Sequence, residues 1–135
     1  MFTWPVRVYY EDTDLGGVVY YANYLRFLER ARTEWLRSLG CDQTRLLEQD
    51  GLLFVITGVE VRYRQPARFN DLLCVTAELE RHRRASMRFR QAIYRDDSRS
   101  ERLVEASVDA ACVAGDTMRP RPIPSELLAA MERDR

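Results

Sequence analysis

Residues 23–39 (NYLRFLERARTEWLRSL) carry an apolar stripe too wide for an ordinary surface helix. Placed at ~100° per residue, Tyr24, Leu25, Phe27, Leu28, Ala31, Trp35, Leu36 and Leu39 cover about half the circumference. A helix of that kind must be wrapped on several sides. Asn23 is the expected N-cap and Gly40 the stop. Arg32 falls inside the apolar arc. It either snorkels to solvent or partners a carboxylate such as Glu29 or Glu34. The rest of the chain offers the wrapping material. Residues 2–10 read as a strand, with Pro5 implying that its backbone lies on an edge or begins the paired part. In residues 53–65, Val55, Thr57, Val59, Val61 and Tyr63 share one face. In residues 72–82, Leu73, Val75, Ala77 and Leu79 alternate with polar neighbours. In residues 102–114, Val104, Ala106, Val108, Ala110 and Cys112 do the same. Period-two alternation marks strands with one buried face. Residues 85–96 alternate less cleanly. Short helices are expected at 43–49 and, exposed, at 125–133. One long helix against five strands is an α+β layer architecture, read as a single domain over residues 1–135. One helix leaves sheet surface uncovered, so self-association is a natural way to bury the remainder.

Composition narrows the function classes. The chain has 135 residues and can bury about two-thirds of the surface its unfolded form exposes. It therefore needs no disulfide or metal to fold. Its 21 basic residues balance 21 acidic ones, which argues against nucleic-acid binding. All the basic residues are Arg, whose planar fork suits phosphate. Cys41, Cys74 and Cys112 lie far apart in sequence, outside any zinc-type spacing. An odd cysteine count and no signal-peptide pattern fit a reducing cytoplasm. No apolar run approaches the ~20 residues of a membrane span.

The unusual stretch is Tyr10–Tyr24 (YEDTDLGGVVYYANY). It sets Glu11, Asp12 and Asp14 before a Gly16-Gly17 turn that leads into the long helix. Helix N-termini present unpaired N–H groups and partial positive charge, which stabilise developing negative charge. A carboxylate beside such a terminus is a base or nucleophile beside an oxyanion site. The same residue types also make ordinary solvated turns. His82, the only histidine, sits in an Arg-rich turn, and no G-x-S-x-G elbow accompanies it.

This run, followed by FLERARTEWL (Phe27–Leu36), resembles the hotdog-fold acyl-CoA thioesterases. It looks most like the tol–pal-cluster-associated branch, which is related to hydroxybenzoyl-CoA thioesterase. The likeness runs from Trp4 through QPARFNDLL (Gln65–Leu73) to about Pro122. It implies a five-stranded antiparallel sheet wrapped around one long central helix. It implies Asp14 as the catalytic carboxylate, acting as general base or nucleophile. Tyr21 matches the position whose backbone N–H polarises the thioester carbonyl. The tol–pal branch usually has His there and the hydroxybenzoyl branch Tyr, so short aliphatic and aromatic acyl groups both stay open. Basic residues of the hairpin ERHRRAS (Glu80–Ser86) would hold the nucleotide of CoA, with Arg83, Arg84 and Ser86 the candidates. The resemblance further implies homodimers or homotetramers with active sites at subunit interfaces, and no cofactor beyond the CoA of the substrate. A contrasting reading is a module that binds acyl-CoA or acyl carrier protein with little turnover. A hotdog dehydratase would need a His–acid pair, for which His82 is poorly placed.

Overall fold

The computed structural model describes residues 1–135. Strand β1 (Phe2–Arg7) leads through a single 3₁₀ turn at Tyr10–Asp12 into helix α1 (Asn23–Ser38). Helix α2 (Gln43–Asp50) and strands β2 (Leu52–Tyr63), β3 (Leu72–His82), β4 (Ser86–Arg95) and β5 (Glu101–Ala114) follow, and helix α3 (Ser125–Arg133) closes the chain. The strands form one antiparallel sheet in the order β1-β3-β4-β5-β2. With α1 packed against β1 and β3, this is the α+β, helix-in-sheet architecture that the alternation implies.

The inner face of the sheet carries Leu73, Val75, Ala77 and Leu79 on β3, and Val104, Ala106, Val108, Ala110 and Cys112 on β5. Phe27, Leu28, Ala31 and Trp35 of α1 meet this face and are at most 1 % exposed. Burying a side chain the size of Phe27 or Leu28 contributes about 1.5–3 kcal/mol. The helix ends at Ser38 with Leu39 as its cap, and Gly40 just beyond turns the chain away at a φ of +88° that favours glycine. Pro5 lies on an edge strand, where its missing N–H costs no ladder bond.

Three local expectations are revised. The N-cap position of α1 is Ala22, and Asn23 spends its side chain across the loop instead. In β2 the register shifts between Ile56 and Gly58, so Thr57 is an extra residue opposite β5. Val59, Val61 and Tyr63 therefore share the inner face with Ile56, while Val55 turns outward opposite Ala111. Helix α3 is not an exposed appendage. Leu127, Ala130 and Met131 are buried against α1 and the sheet. The Trp35 indole N–H donates to the Asp134 carboxylate at 2.7 Å and fastens the end of α3 to α1.

Arg32 resolves in a way neither expectation covered. Its guanidinium donates to the side-chain oxygen of Gln91 at 3.0 Å and lies 5.9 Å from the centre of the Phe89 ring. Burial pulls its pKa down, and the charge of Glu29 opposes that fall.

Candidate active site

The acidic loop is folded back on the start of α1 by backbone bonds. Thr13 bridges Val19, and the Asp14 N–H donates to the Val18 carbonyl at 2.9 Å. The Gly17 N–H returns to the Asp14 carbonyl at 3.0 Å, with Gly17 at φ +77°. The Asp14 carboxylate is exposed and accepts from the Gly16 N–H at 3.0 Å. One of its oxygens is thereby oriented, while its other oxygen takes no hydrogen bond in the chain. Asp12 plays a different part. It is 7 % exposed, its carboxylate accepts from the Tyr9 N–H at 2.8 Å, and its carbonyl accepts from the Tyr20 N–H at 2.9 Å and from the Asn23 side chain at 3.0 Å. Asp12 thus tethers the loop, while Glu11 and Asp14 face outward, and of these two Asp14 is the one whose carboxylate a backbone N–H orients.

The start of α1 is anchored from the opposite side too. The Tyr24 hydroxyl accepts from the Ala67 N–H at 3.0 Å, and burial pushes its pKa up. Val19 N–H donates to the Ala67 carbonyl at 2.8 Å, and Val18 bridges Arg68. The Gln65–Leu73 segment therefore braces both the loop and the helix start. Between these anchors the Tyr21 N–H makes no hydrogen bond within the chain. Its peptide plane is held by the Asn23 N–H, which donates to the Tyr20 carbonyl at 2.8 Å. A free donor at a helix start, in a fixed plane, is available to an oxygen that gains negative charge. Asp14 and Tyr21 thus lie on the same braced loop, before the first turn of α1.

The basic hairpin lies at the other end. Its turn is closed by the Arg83 N–H, which donates to the Ser86 carbonyl at 2.8 Å. Arg83 and Ser86 line an open cleft of about 280 Å³ together with Thr57, Arg81, His82, Met87, Arg88 and Asp109. Arg88 faces Glu80 at 3.3 Å, Asp109 at 3.6 Å and Glu60 at 3.8 Å, so its charge is largely taken. Arg81 and Arg83 are the exposed cations of the cleft. Arg84 does not line it. Its carbonyl accepts from the Ile123 N–H at 2.9 Å, and its side chain is exposed. His82 is also exposed, with its ring 3.5 Å from Glu132. Leu72 and His82 are separated by ten strand steps, about 33 Å.

Two contacts around these residues have no signal in the sequence. Tyr63 reads there as one more inward residue of an alternating strand, yet its hydroxyl donates to the Tyr21 carbonyl at 3.1 Å. Asp109 reads as an outward polar residue, yet it sits in the cleft against Arg88.

The family model described as the thioesterase-like superfamily matches residues 8–131. The chain is 46 % identical over 129 residues to the acyl-CoA thioesterase YbgC of Haemophilus influenzae, covering 96 % of this chain and 93 % of that protein. It is 42 % identical over 133 residues to the acyl-CoA thioester hydrolase YbgC of Escherichia coli, covering 98 % and 97 %. A probable thioesterase from Bartonella henselae superposes with a TM-score of 0.84 at 35 % identity, covering 90 % of this chain and 98 % of that one. The matched stretch takes in the acidic loop, the wrapped helix and the Arg-rich hairpin together, and on that ground the chain belongs to the thioesterase-like superfamily, in its hotdog fold.

Proposed function

We propose that this chain hydrolyses the thioester of short-chain aliphatic or aromatic acyl-CoA to the free acid and CoA, with Asp14 as general base or nucleophile and the Tyr21 N–H polarising the carbonyl. Acyl-CoA thioester hydrolysis is the activity that the names of its near-full-length relatives carry. The observation that carries the residue roles is the pairing of an outward, singly hydrogen-bonded Asp14 with an acceptor-free Tyr21 N–H on one braced loop.

The chemistry runs as follows. The thioester oxygen accepts from the Tyr21 N–H, which stabilises the charge that builds on it. In the general-base course, Asp14 takes a proton from water as the water oxygen bonds to the carbonyl carbon. The C–S bond then breaks, and CoA leaves as a thiolate that takes up a proton. In the nucleophilic course, Asp14 attacks the carbonyl carbon and expels the thiolate. Water then hydrolyses the resulting anhydride.

Strand length argues for a site shared between two copies. The Arg83–Ser86 hairpin lies about 33 Å along β3 from the Asp14 end. The pantetheine arm of one CoA would have to run the length of the sheet to join them in one chain. Strand β2 is an edge of 12 residues without proline, and edges of that length are normally covered. Antiparallel pairing of two β2 strands near Val59 would set Tyr63 of one copy beside the Val55 end of the other. Val55 lies opposite Ala111, and Ala111 opposite Ser86, so that pairing brings the second copy's hairpin toward Asp14 and Tyr21. On this reading the active unit is a homodimer, alone or paired into a homotetramer, and Arg83 and Ser86, which line the cleft, hold the CoA phosphates, with Arg84 beside the cleft as the lesser candidate. Three free thiols suit a reducing, cytoplasmic setting, and the likeness to the tol–pal branch suggests work near the envelope, with acyl carrier protein as another acyl donor.

The test is thiol release from short, long and aromatic acyl-CoAs by wild type and Asp14→Asn. Loss of about 10²–10⁴ in turnover in the variant is expected, with the fold kept. An unchanged rate would remove Asp14 from the mechanism. No release from any ester by wild type would point instead to a binding module.

A further inference from the structure

The turn that carries the Tyr21 N–H is held on both sides. Upstream, the Tyr20 N–H donates to the Asp12 carbonyl at 2.9 Å. Downstream, the Tyr63 hydroxyl donates to the Tyr21 carbonyl at 3.1 Å, and this bond alone comes from the sheet. We propose that Tyr63 is a positioning residue for hydrolysis: its hydroxyl holds the Tyr21 carbonyl and so keeps the Tyr21 N–H aimed at the thioester oxygen. This rests on the reading that Tyr21 polarises the carbonyl.

Two donors compete for one acceptor, the Tyr21 carbonyl. In a regular α-helix the Tyr21 carbonyl would accept from the Leu25 N–H, four residues on. The Leu25 N–H instead donates to the Ala22 carbonyl at 3.2 Å, a tighter turn of the 3₁₀ kind. Ala22 supplies no side-chain cap to fix this end. With the Tyr63 hydroxyl gone, the Tyr21 carbonyl has the Leu25 N–H as its nearest alternative donor. Taking it rewinds the first turn, rotates the Tyr21–Ala22 peptide and so loosens the Asn23 N–H bond to the Tyr20 carbonyl that fixes the plane of the Tyr21 N–H. The hydroxyl also offsets the partial negative charge of that carbonyl beside a site where an oxyanion develops. The Tyr63 ring is placed independently of its hydrogen bond. It meets the Tyr21 ring edge-on at 6.2 Å and the Tyr24 ring at 5.5 Å. Removing the oxygen alone therefore leaves the packing in place.

The experiment compares wild type, Tyr63→Phe and Asp14→Asn with the preferred acyl-CoA, recording kcat, KM and the melting temperature of each. A loss in kcat of about two- to tenfold is expected for Tyr63→Phe, the size of one hydrogen bond. Its KM and melting temperature should stay near wild type. A wild-type kcat, a KM effect without a kcat effect, or a kcat loss that merely tracks loss of folded protein would each overturn the proposal. An inactive Asp14→Asn beside a fully active Tyr63→Phe leaves the proposed function standing and removes only this role. Full activity in Asp14→Asn would instead count against the proposed function, whatever Tyr63→Phe does.

Discussion

Gln91, in the middle of β4, donates from its side chain to the Leu28 carbonyl of α1 at 3.0 Å and is 2 % exposed. The same amide nitrogen lies 3.2 Å from the Thr76 carbonyl, and the amide oxygen accepts from Arg32. One polar side chain in the core thus ties the helix, β3 and β4 together and partners a desolvated cation. Gln91→Leu should destabilise the chain by about 2 kcal/mol, because Arg32 is left without its acceptor. Adding Arg32→Leu should recover much of the loss, since the pair then becomes apolar. Urea unfolding of the four proteins in the cycle measures this. Simple additivity of the two single losses would show that the residues act separately.

Most of the fold was legible because its signals are periodic. The β3 and α3 limits coincide with the sequence reading, the α1 start differs by the one residue of its cap, and the inward residues of β3 and β5 are the alternating ones. The failures share a physical cause. The bulge at Thr57 depends on the partner strand, so alternation alone assigned Val55 to the wrong face. The burial of α3 depends on what Trp35 and the sheet leave uncovered. The acidic loop stood out as a motif, and the resemblance singled out Asp14 within it, but the tethering part of Asp12 did not show in the sequence. That part depends on the Tyr9 N–H and the Asn23 side chain, which the folded loop brings to Asp12.

The inner face of β2 exposes Ile56, Val59 and Tyr63, since α1 lies over β1 and β3. A second copy is the proposed cover. Val59→Lys should leave the protomer folded, because the position is 42 % exposed in the single chain. It should shift the protein toward monomer and lower its activity in step. Sedimentation velocity and thiol release on the same samples check this. A charged variant that stays associated and active would remove β2 from the interface.

The Glu105 carboxylate is held below its ordinary value by hydrogen bonds from Arg102 and then Arg64. A depressed folded pKa gives stability that is present above the unfolded value and is lost as pH falls through the folded value. Glu105→Gln should therefore melt slightly below wild type near neutral pH. The gap should close in acid, once Glu105 is protonated in both states. The carboxylate lies at the surface and is partly exposed, so added salt should also narrow the gap. A gap that persists at low pH would mean that the glutamine costs stability through something other than charge.

Arg83 and Arg84 are adjacent in sequence but differently placed, and that separates them experimentally. Arg83 lines the cleft with Ser86 and Arg81, whereas Arg84 lies outside it. Guanidinium groups grip phosphate in paired hydrogen bonds. If the cleft holds the nucleotide of CoA, Arg83→Ala should raise KM for acyl-CoA several-fold and more than Arg84→Ala does, with kcat little changed in either. Acyl-pantetheine, which lacks the nucleotide, should be hydrolysed equally by all three proteins. An equal loss on both substrates would mean that the hairpin supports the fold rather than the phosphates. A larger effect at Arg84 would move the phosphate site out of the cleft and onto the face beside Ile123.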